Sequence, residues 1–382
     1  MTDVVRGFAN SPLNWPAIIM FGLTHGLVLT LLPWYALTHD FSLAAWIGAA
    51  FFMGATGMSI TAGYHRLWSH RAYEAHWLVR LPLMLFGAMS LQNSTLIWAS
   101  LHRVHHKNVD HVDLDPYSIR RGFWFAHMGW MLRDYPSAEL DLSNVRDLEK
   151  DPLLAFQHKH YLGLALFMNI GMPLLVGAAF GDAWGFLLLG GLLRIVLNHH
   201  FTFFINSAAH WWGRRPYTLE NSARDNDLIS LVTFGEGYHN YHHLFQWDYR
   251  NGIRWWQFDP TKWLIYGCST LGLAWNLKRV PEFLVQRAML ERQFAEARLG
   301  LEGCNHHPTR LQALQTLLQH EVEAFGAIMG EWRSLQTDRF EAARKQIADT
   351  WENSEVRRRL AHLEESLRMQ RKRVRLLRLQ SV

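Results

Sequence analysis

Cysteine is nearly missing: the 382 residues contain two, Cys268 and Cys304. Two thiols cannot build a cysteine-rich zinc or iron–sulfur site. They give no sign of a disulfide framework either, so the redox context reads as reducing. Also missing are a haem-binding His-Pro-Gly-Gly motif and a glycine-rich dinucleotide fingerprint. The net charge of +5 is the usual mark of a nucleic-acid binder, yet Lys and Arg flank apolar blocks and fill the tail. That distribution suits anionic lipid headgroups and argues against nucleic acid.

Charge is scarce in four long stretches. Trp15–Thr38 and Ser42–Tyr64 contain no Asp, Glu, Lys or Arg, and neither does Tyr161–Phe180; Trp184–Ile205 contains only Arg194. A bilayer core is about 30 Å thick and a helix rises about 1.5 Å per residue, so such runs are long enough to cross it. Short turns holding His39 and Asp40, or Gly181 and Asp182, join them into two helical hairpins, and the first run is not expected to be a cleaved signal. The turns lack Lys and Arg, whereas Arg66, Arg71, Arg80, Arg103, Lys107, Arg214 and Arg215 follow the other hairpin ends. By the positive-inside tendency those ends, and both termini, face the cytoplasm. Leu78–Ala99 is long enough for a fifth crossing, but Arg80, Pro82, Gln92 and Asn93 are costly in lipid. We read it as interfacial. Arg194 is expected to turn inward to a polar partner.

Histidine is abundant instead, with 22 residues. Three clusters stand out: His65-Arg-Leu-Trp-Ser-His70, His102-Arg-Val-His105-His106 and His239-Asn-Tyr-His242-His243. Positions i, i+3 and i+4 share a helix face, so each of the last two clusters can point into one volume. His65 and His70 are five apart and would diverge on an ideal helix, which places them where a helix ends or kinks. With His210 there are nine candidate ligands, more than one ion can use, and two metals are implied. Imidazole suits iron, zinc, copper or nickel, and a site without cysteine argues against closed structural zinc. Di-iron activating dioxygen is the leading candidate.

The strings Thr61-Ala-Gly-Tyr-His-Arg-Leu-Trp-Ser-His70, Asn206-Ser-Ala-Ala-His210 and Gly235-Glu-Gly-Tyr-His-Asn-Tyr-His-His243 resemble the membrane-bound fatty acyl desaturases of the stearoyl-CoA delta-9 type, over Trp15 to Val280. The resemblance implies an all-α integral membrane protein with four transmembrane helices and a cytoplasmic helical cap holding a di-metal centre. It implies a cis double bond inserted into a saturated acyl chain, with two iron ions, dioxygen as co-substrate and zinc as the substitute in purified samples. Carried over by position, the metal ligands are His65, His70, His102, His105, His106, His210, His239, His242 and His243, with Asn206 joining through water. Trp98 would line the acyl tunnel, and Met53 and Gly57 would lie near its closed end. From the residues themselves, Glu236, Asp113 and Asp115 stand near enough in sequence to orient imidazoles. Gly235 and Gly237 would let backbone approach metal or substrate closely. His199 and His200 read as polar packing, and His76, His111, His127, His158 and His160 as surface or interfacial residues.

The expected organisation is a cytoplasmic N-terminus (1–14), hairpin one (15–64), cap with two boxes (65–159), hairpin two (160–205), cap with the third box (206–281) and an extension (282–382). The place is a bacterial inner membrane. Where animal acyl-CoA enzymes carry an Arg-Asp pair contacting CoA, this chain has Ser100 and Leu101, which leaves acyl-CoA preferred and acyl-lipid as the alternative carrier. Electrons would come from a separate carrier, of ferredoxin or cytochrome type, with its reductase. In the extension, Leu311, Leu314, Leu318, Val322, Phe325 and Met329 recur at helical spacing, as do Phe340, Ile347, Trp351, Leu360, Leu363 and Leu367 more loosely. A break is expected over Gly303–Pro308, and the basic end Arg368–Arg378 suits a membrane surface. Competing readings are a fatty-acid hydroxylase on the same scaffold and, remotely, a metal transporter, whose ligands would sit inside the spans.

Overall fold

The computed structural model describes residues 11–302, 308–344 and 350–380. Residues 1–10, Cys304 with the rest of the expected break at 303–307, and Ile347 lie outside the described residues, as do the side chains of Phe340 and Trp351. The chain divides into two compact units: Met1–Arg214 with Asn221–Arg279, and Arg215–Glu220 with Val280–Val382.

In the first unit four helices are long and apolar enough to cross a membrane: α1 (Trp15–Thr38), α2 (Leu43–Ser69), α5 (Tyr161–Ala179) and α6 (Ala183–Trp211). Their ends are set by local chemistry. Asn14 Oδ1 accepts from Ala17 N, and Ser42 Oγ accepts from Ala45 N, each capping the first turn of its helix. Asp182 caps α6 through Gly185 N and also accepts from Ser42 N at 3.0 Å, so one carboxylate ties the two hairpin turns together. Arg194 turns inward as expected. Its partners are Met89 O at 2.8 Å, Gly190 O at 3.1 Å and Asn169 Oδ1.

The stretch Leu78–Ala99 is not a span. Helix α3 (Trp77–Met89) has 13 residues, about 20 Å at the usual rise and too short for the core. Leu91 and Asn93 then take left-handed conformations with φ of 56° and 70°. The chain turns there into α4 (Thr95–Asn108), which carries the second box. The third box lies on α7 (His239–Leu244), and α8 (Pro260–Thr270) follows it. Strands β1 (Glu74–Ala75) and β2 (Ala274–Trp275) pair antiparallel and join the start of α3 to the end of α8. Tyr64, Trp68, Leu83, Met84, Leu96, Leu154 and Ile265 form the apolar core beneath the boxes.

The second unit packs α9 (Glu282–Glu302), α10 (Pro308–Arg344) and α11 (Thr350–Gln380) around Phe283, Leu290, Phe294, Leu314, Leu318, Met329, Leu363, Leu367 and Val374. Of the described side chains in the spacing read from the sequence, Leu314, Leu318, Met329, Leu363 and Leu367 are buried in this core, and Leu311, Val322, Phe325 and Leu360 are partly buried against it. Along the basic end, Arg373 pairs with Glu321 at 2.6 Å while Lys372 and Arg375 are exposed.

Candidate metal centre

An α-helix would spread His65 and His70 apart, but α2 changes to a π-helix over Ser59–Ser69. Its bonds run from residue i to i+5, and His70 N donates to His65 O at 3.0 Å. The two rings therefore meet edge to face on one side of the helix, with centroids 4.7 Å apart. Arg103 holds the end of this turn, donating to Trp68 O and Ser69 O at 3.0 Å each and pairing with Asp147.

Nine imidazoles from four stretches then form two groups. His65, His70, His102, His106 and His242 make one, His105, His210, His239 and His243 the other, and within each group the ligand atoms lie within 4.8 Å of one another. The i, i+3, i+4 motifs do not each serve one volume. On α4, His102 and His106 face the first group while His105 faces the second; on α7, His242 faces the first while His239 and His243 face the second. Sharing two helices fixes the groups side by side, with the His106 and His243 rings stacked at 4.3 Å.

The inward atoms are all Nε2. His65 meets His242 at 2.9 Å, His70 meets His102 at 2.8 Å, His242 meets His106 at 3.0 Å, and His239 meets both His210 and His243 at 3.0 Å. Three outward Nδ1 atoms meet acceptors: Glu236 Oε2 at 2.9 Å from His65, Asp115 Oδ1 at 2.8 Å from His105 and Ser222 Oγ at 2.7 Å from His210. Ser222 Oγ spends its own proton on Asp110, so it accepts from His210. On these three rings the proton is held outside and the Nε2 lone pair faces inward, where converging lone pairs repel unless cations sit between them. Burial, reinforced by neighbouring imidazoles, pushes His70, His102, His106, His239, His242 and His243 well below 6.5. They are therefore neutral, the ligating form.

Of the carboxylates expected to orient ligands, Glu236 and Asp115 touch imidazoles and Asp113 does not. Asp113 Oδ1 is buried without a partner and its backbone N meets His111. Asp115 faces inward because it closes its own turn, accepting from Asp110 N and Tyr117 N. Glu236 is gripped by Arg66 Nη2 at 2.8 Å and Arg66 Nε at 3.1 Å. Burial raises its pKa, but Arg66 and His65 outweigh that and hold it near about 2. Arg66 itself is 1% exposed and also donates to Asp259 and Tyr249 O. It flanks the span in sequence yet does not face water. Gly235 and Gly237 give backbone access to Asp259 and Ser230, not to the imidazoles. Asp225 Oδ1 accepts from Asn240 N and Tyr241 N, capping α7 from outside.

A cavity of about 850 Å³ reaches the first group, lined by Ile60, His65, Trp98, His102, Asn206 and Glu236 among others. Trp98 stacks on His102 with centroids 4.8 Å apart, and its Nε1 donates to Gln92, which donates to Thr202. Met53 and Gly57 are not in the lining. A methyl group on Gly57 would stand 2.1 Å from the Phe234 ring, so that side of α2 is filled and the cavity meets the helix one turn later, at Ile60 and Thr61. Asn206 lines the cavity.

Ser222, Asp110 and Tyr117 belong to no motif and nothing local in the sequence marks them; Arg66 lies inside the first box but reads there only as a flanking charge. His127, expected at the surface, is 5% exposed and meets His200 at 2.9 Å, which meets His25 at 3.0 Å. His199 Nε2 reaches Ser90 O at 3.0 Å.

Four membrane-length helices beside two imidazole groups, each able to hold a metal ion, define a helical membrane protein with a candidate histidine metal centre. The model of the family described as "Fatty acid desaturase" matches residues 41–279. The chain belongs to that family. It is 42% identical over 252 residues to "Acyl-CoA desaturase 1" of Saccharomyces cerevisiae, which covers 66% of this chain and 49% of the relative. Identity is 36% over 278 residues to "sn-2 palmitoyl-lipid 9-desaturase" of Nostoc sp., covering 71% and 93%. Against the human "Stearoyl-CoA desaturase" it is 38% over 282 residues, covering 70% and 75%. The chain spans about half the length of its yeast relatives.

Proposed function

We propose that this protein is an oxygen-dependent fatty acyl desaturase that places a cis double bond, at the delta-9 position, in a saturated acyl-CoA. The nine clustered histidines are assigned as ligands of two iron ions, with Asn206 acting through a water. The observation that carries this reading is the meeting of two all-imidazole groups with a mainly apolar cavity at His65, His102 and Trp98. Bound iron would supply activation of dioxygen, taking two hydrogens from adjacent methylenes while two electrons and two protons complete its reduction to water.

The chain's own residues bind, orient and exclude water. The Trp98–Gln92–Thr202 chain of hydrogen bonds fixes the cavity wall beside the first group. Glu236, Asp115 and Ser222 hold ring orientation, so that nitrogen lone pairs meet the ions without rearrangement. Electrons come from a separate carrier, of ferredoxin or cytochrome type, with its reductase. The histidine-bearing cap faces the cytoplasm, in keeping with the flanking Arg and Lys residues.

Acyl-lipid is the second reading for the carrier. The Nostoc relative, whose printed name specifies a palmitoyl-lipid, is matched over 93% of its length, and Leu101 here lines the cavity where an acidic residue would sit in the animal acyl-CoA pattern. The test is expression in a host lacking unsaturated fatty acids, with mass analysis and location of the new double bond. A product lighter by two hydrogens at carbon 9 supports desaturation; one oxygen gained makes the protein a hydroxylase. Purified protein with a reducing system turns over stearoyl-CoA under the first reading and only phospholipid under the second.

A further inference from the structure

The two histidine groups rest on different outer supports. Behind the five-histidine group, Glu236 is neutralised in place: Arg66 grips Oε1 through two nitrogens, and Asn251 Nδ2 donates to Oε2 at 2.6 Å. Arg66 is in turn shared with Asp259, whose other partners are the backbone amides of Asn251, Gly252 and Lys262. His65 therefore faces an oxygen that already accepts from Asn251, on a carboxylate paired with Arg66. Behind the four-histidine group, Asp115 is 1% exposed and, among the described residues, accepts from His105 and two backbone amides. Among the described residues no Lys or Arg forms an ion pair with it. A second carboxylate, Asp110, stands behind His210 through Ser222. Arg224 is the cation on that side, with its Nη1 on Gly213 O.

A buried carboxylate without a cation draws harder on an imidazole proton than one already paired. The ring it holds becomes the stronger donor through its other nitrogen, and stronger donation favours the more highly charged ion. We infer that the two metal positions are electronically unequal, and that the ion held by His105, His210, His239 and His243 is the one oxidised first. Arg66 and Asp115 are the positioning residues that set the difference. The inference rests on the di-iron reading. Oxidation here means one electron leaving the ferrous ion in the four-histidine group for an external mediator.

The test is a potentiometric oxidation of the iron-57-loaded full-length protein without acyl substrate, followed by Mössbauer and electron paramagnetic resonance spectra. The expected result is a mixed-valence state, with two distinct ferrous environments before it. Asp115→Asn should move the mean potential upward, by weakening donation at the four-histidine group. Arg66→Gln should move it downward, by freeing Glu236, while Arg66→Lys, which keeps the cation, stays near the parent. Both Asp115→Asn and Arg66→Gln should shrink the mixed-valence population. Opposite signs are something that loosened packing alone would not produce. Loss of both electrons at one potential from indistinguishable ions overturns the inference and leaves the di-iron reading standing, as does a shift of the same sign in both variants. If Arg66→Gln does not accumulate, a fall or no change in Asp115→Asn overturns it alone. A chain that takes up no iron removes the reading beneath it, and the inference falls with it.

Discussion

The unit built on Met1–Arg214 and Asn221–Arg279 buries imidazole, guanidinium and carboxylate groups together, whereas the unit containing Val280–Val382 buries mainly leucine, with valine and phenylalanine. In the first, His65, Glu236, Arg66 and Asp259 form one continuous network, each member less than a tenth exposed. Removing one partner leaves another uncompensated in a medium of low polarity, which costs several kcal/mol. In the second, deleting one aliphatic side chain leaves a void that neighbours partly fill. Either loss is costly, but only the polar interior carries groups able to do chemistry.

The most severe break in that contrast is His242→Ala. His242 Nε2 meets both His65 and His106, and its loss should reduce product formation at least about 100-fold together with iron content, read by mass spectrometry of lipids and of metal. Unaltered products would remove it from the ligand set. Glu236→Gln keeps the shape of the network but weakens the hold on His65; iron affinity should fall about 10- to 100-fold, measured by competition with a chelator.

Acid should separate the two units next. The clustered imidazoles have pKa values depressed in the folded state. The unfolded chain therefore binds more protons than the folded one as pH drops below about 6.5, and stability present above that value is lost on the way down. Iron retention at pH 5.5 should be well below that at pH 7.5, while hydrogen exchange in α9–α11 changes little. Equal retention at both values would show that the imidazoles do not titrate against metal.

Leu367→Ala, at a fully buried position of α11, should cost the second unit about 2–5 kcal/mol by hydrogen exchange and leave iron content intact. The smallest contrast lies in the cavity: Trp98→Ala should change the chain-length profile of the products, and Met53→Ala should leave it unchanged.

What the sequence made legible follows the same division. The boxes could be read because ligands come as dense, regularly spaced imidazoles, and the extension because leucine recurs at helical period. The pairing of His65 with His70 could not, since the spacing was judged against an α-helix and no local signal announces a π-helix. Arg66 read as a flanking charge because its partners lie 170 and 193 residues away. Gly57 could not be placed either, because the ring that packs on it, Phe234, comes from a distant segment. Asp113 and Asp115 differ by two residues; only the turn closed by Asp115 decides which one points inward.

The central claim is that nine imidazoles hold two neighbouring iron ions. Anomalous diffraction at the iron edge from purified protein should give two peaks per chain, one inside the His65, His70, His102, His106 and His242 group and one inside the His105, His210, His239 and His243 group. A single peak, or peaks away from these rings, would contradict the account.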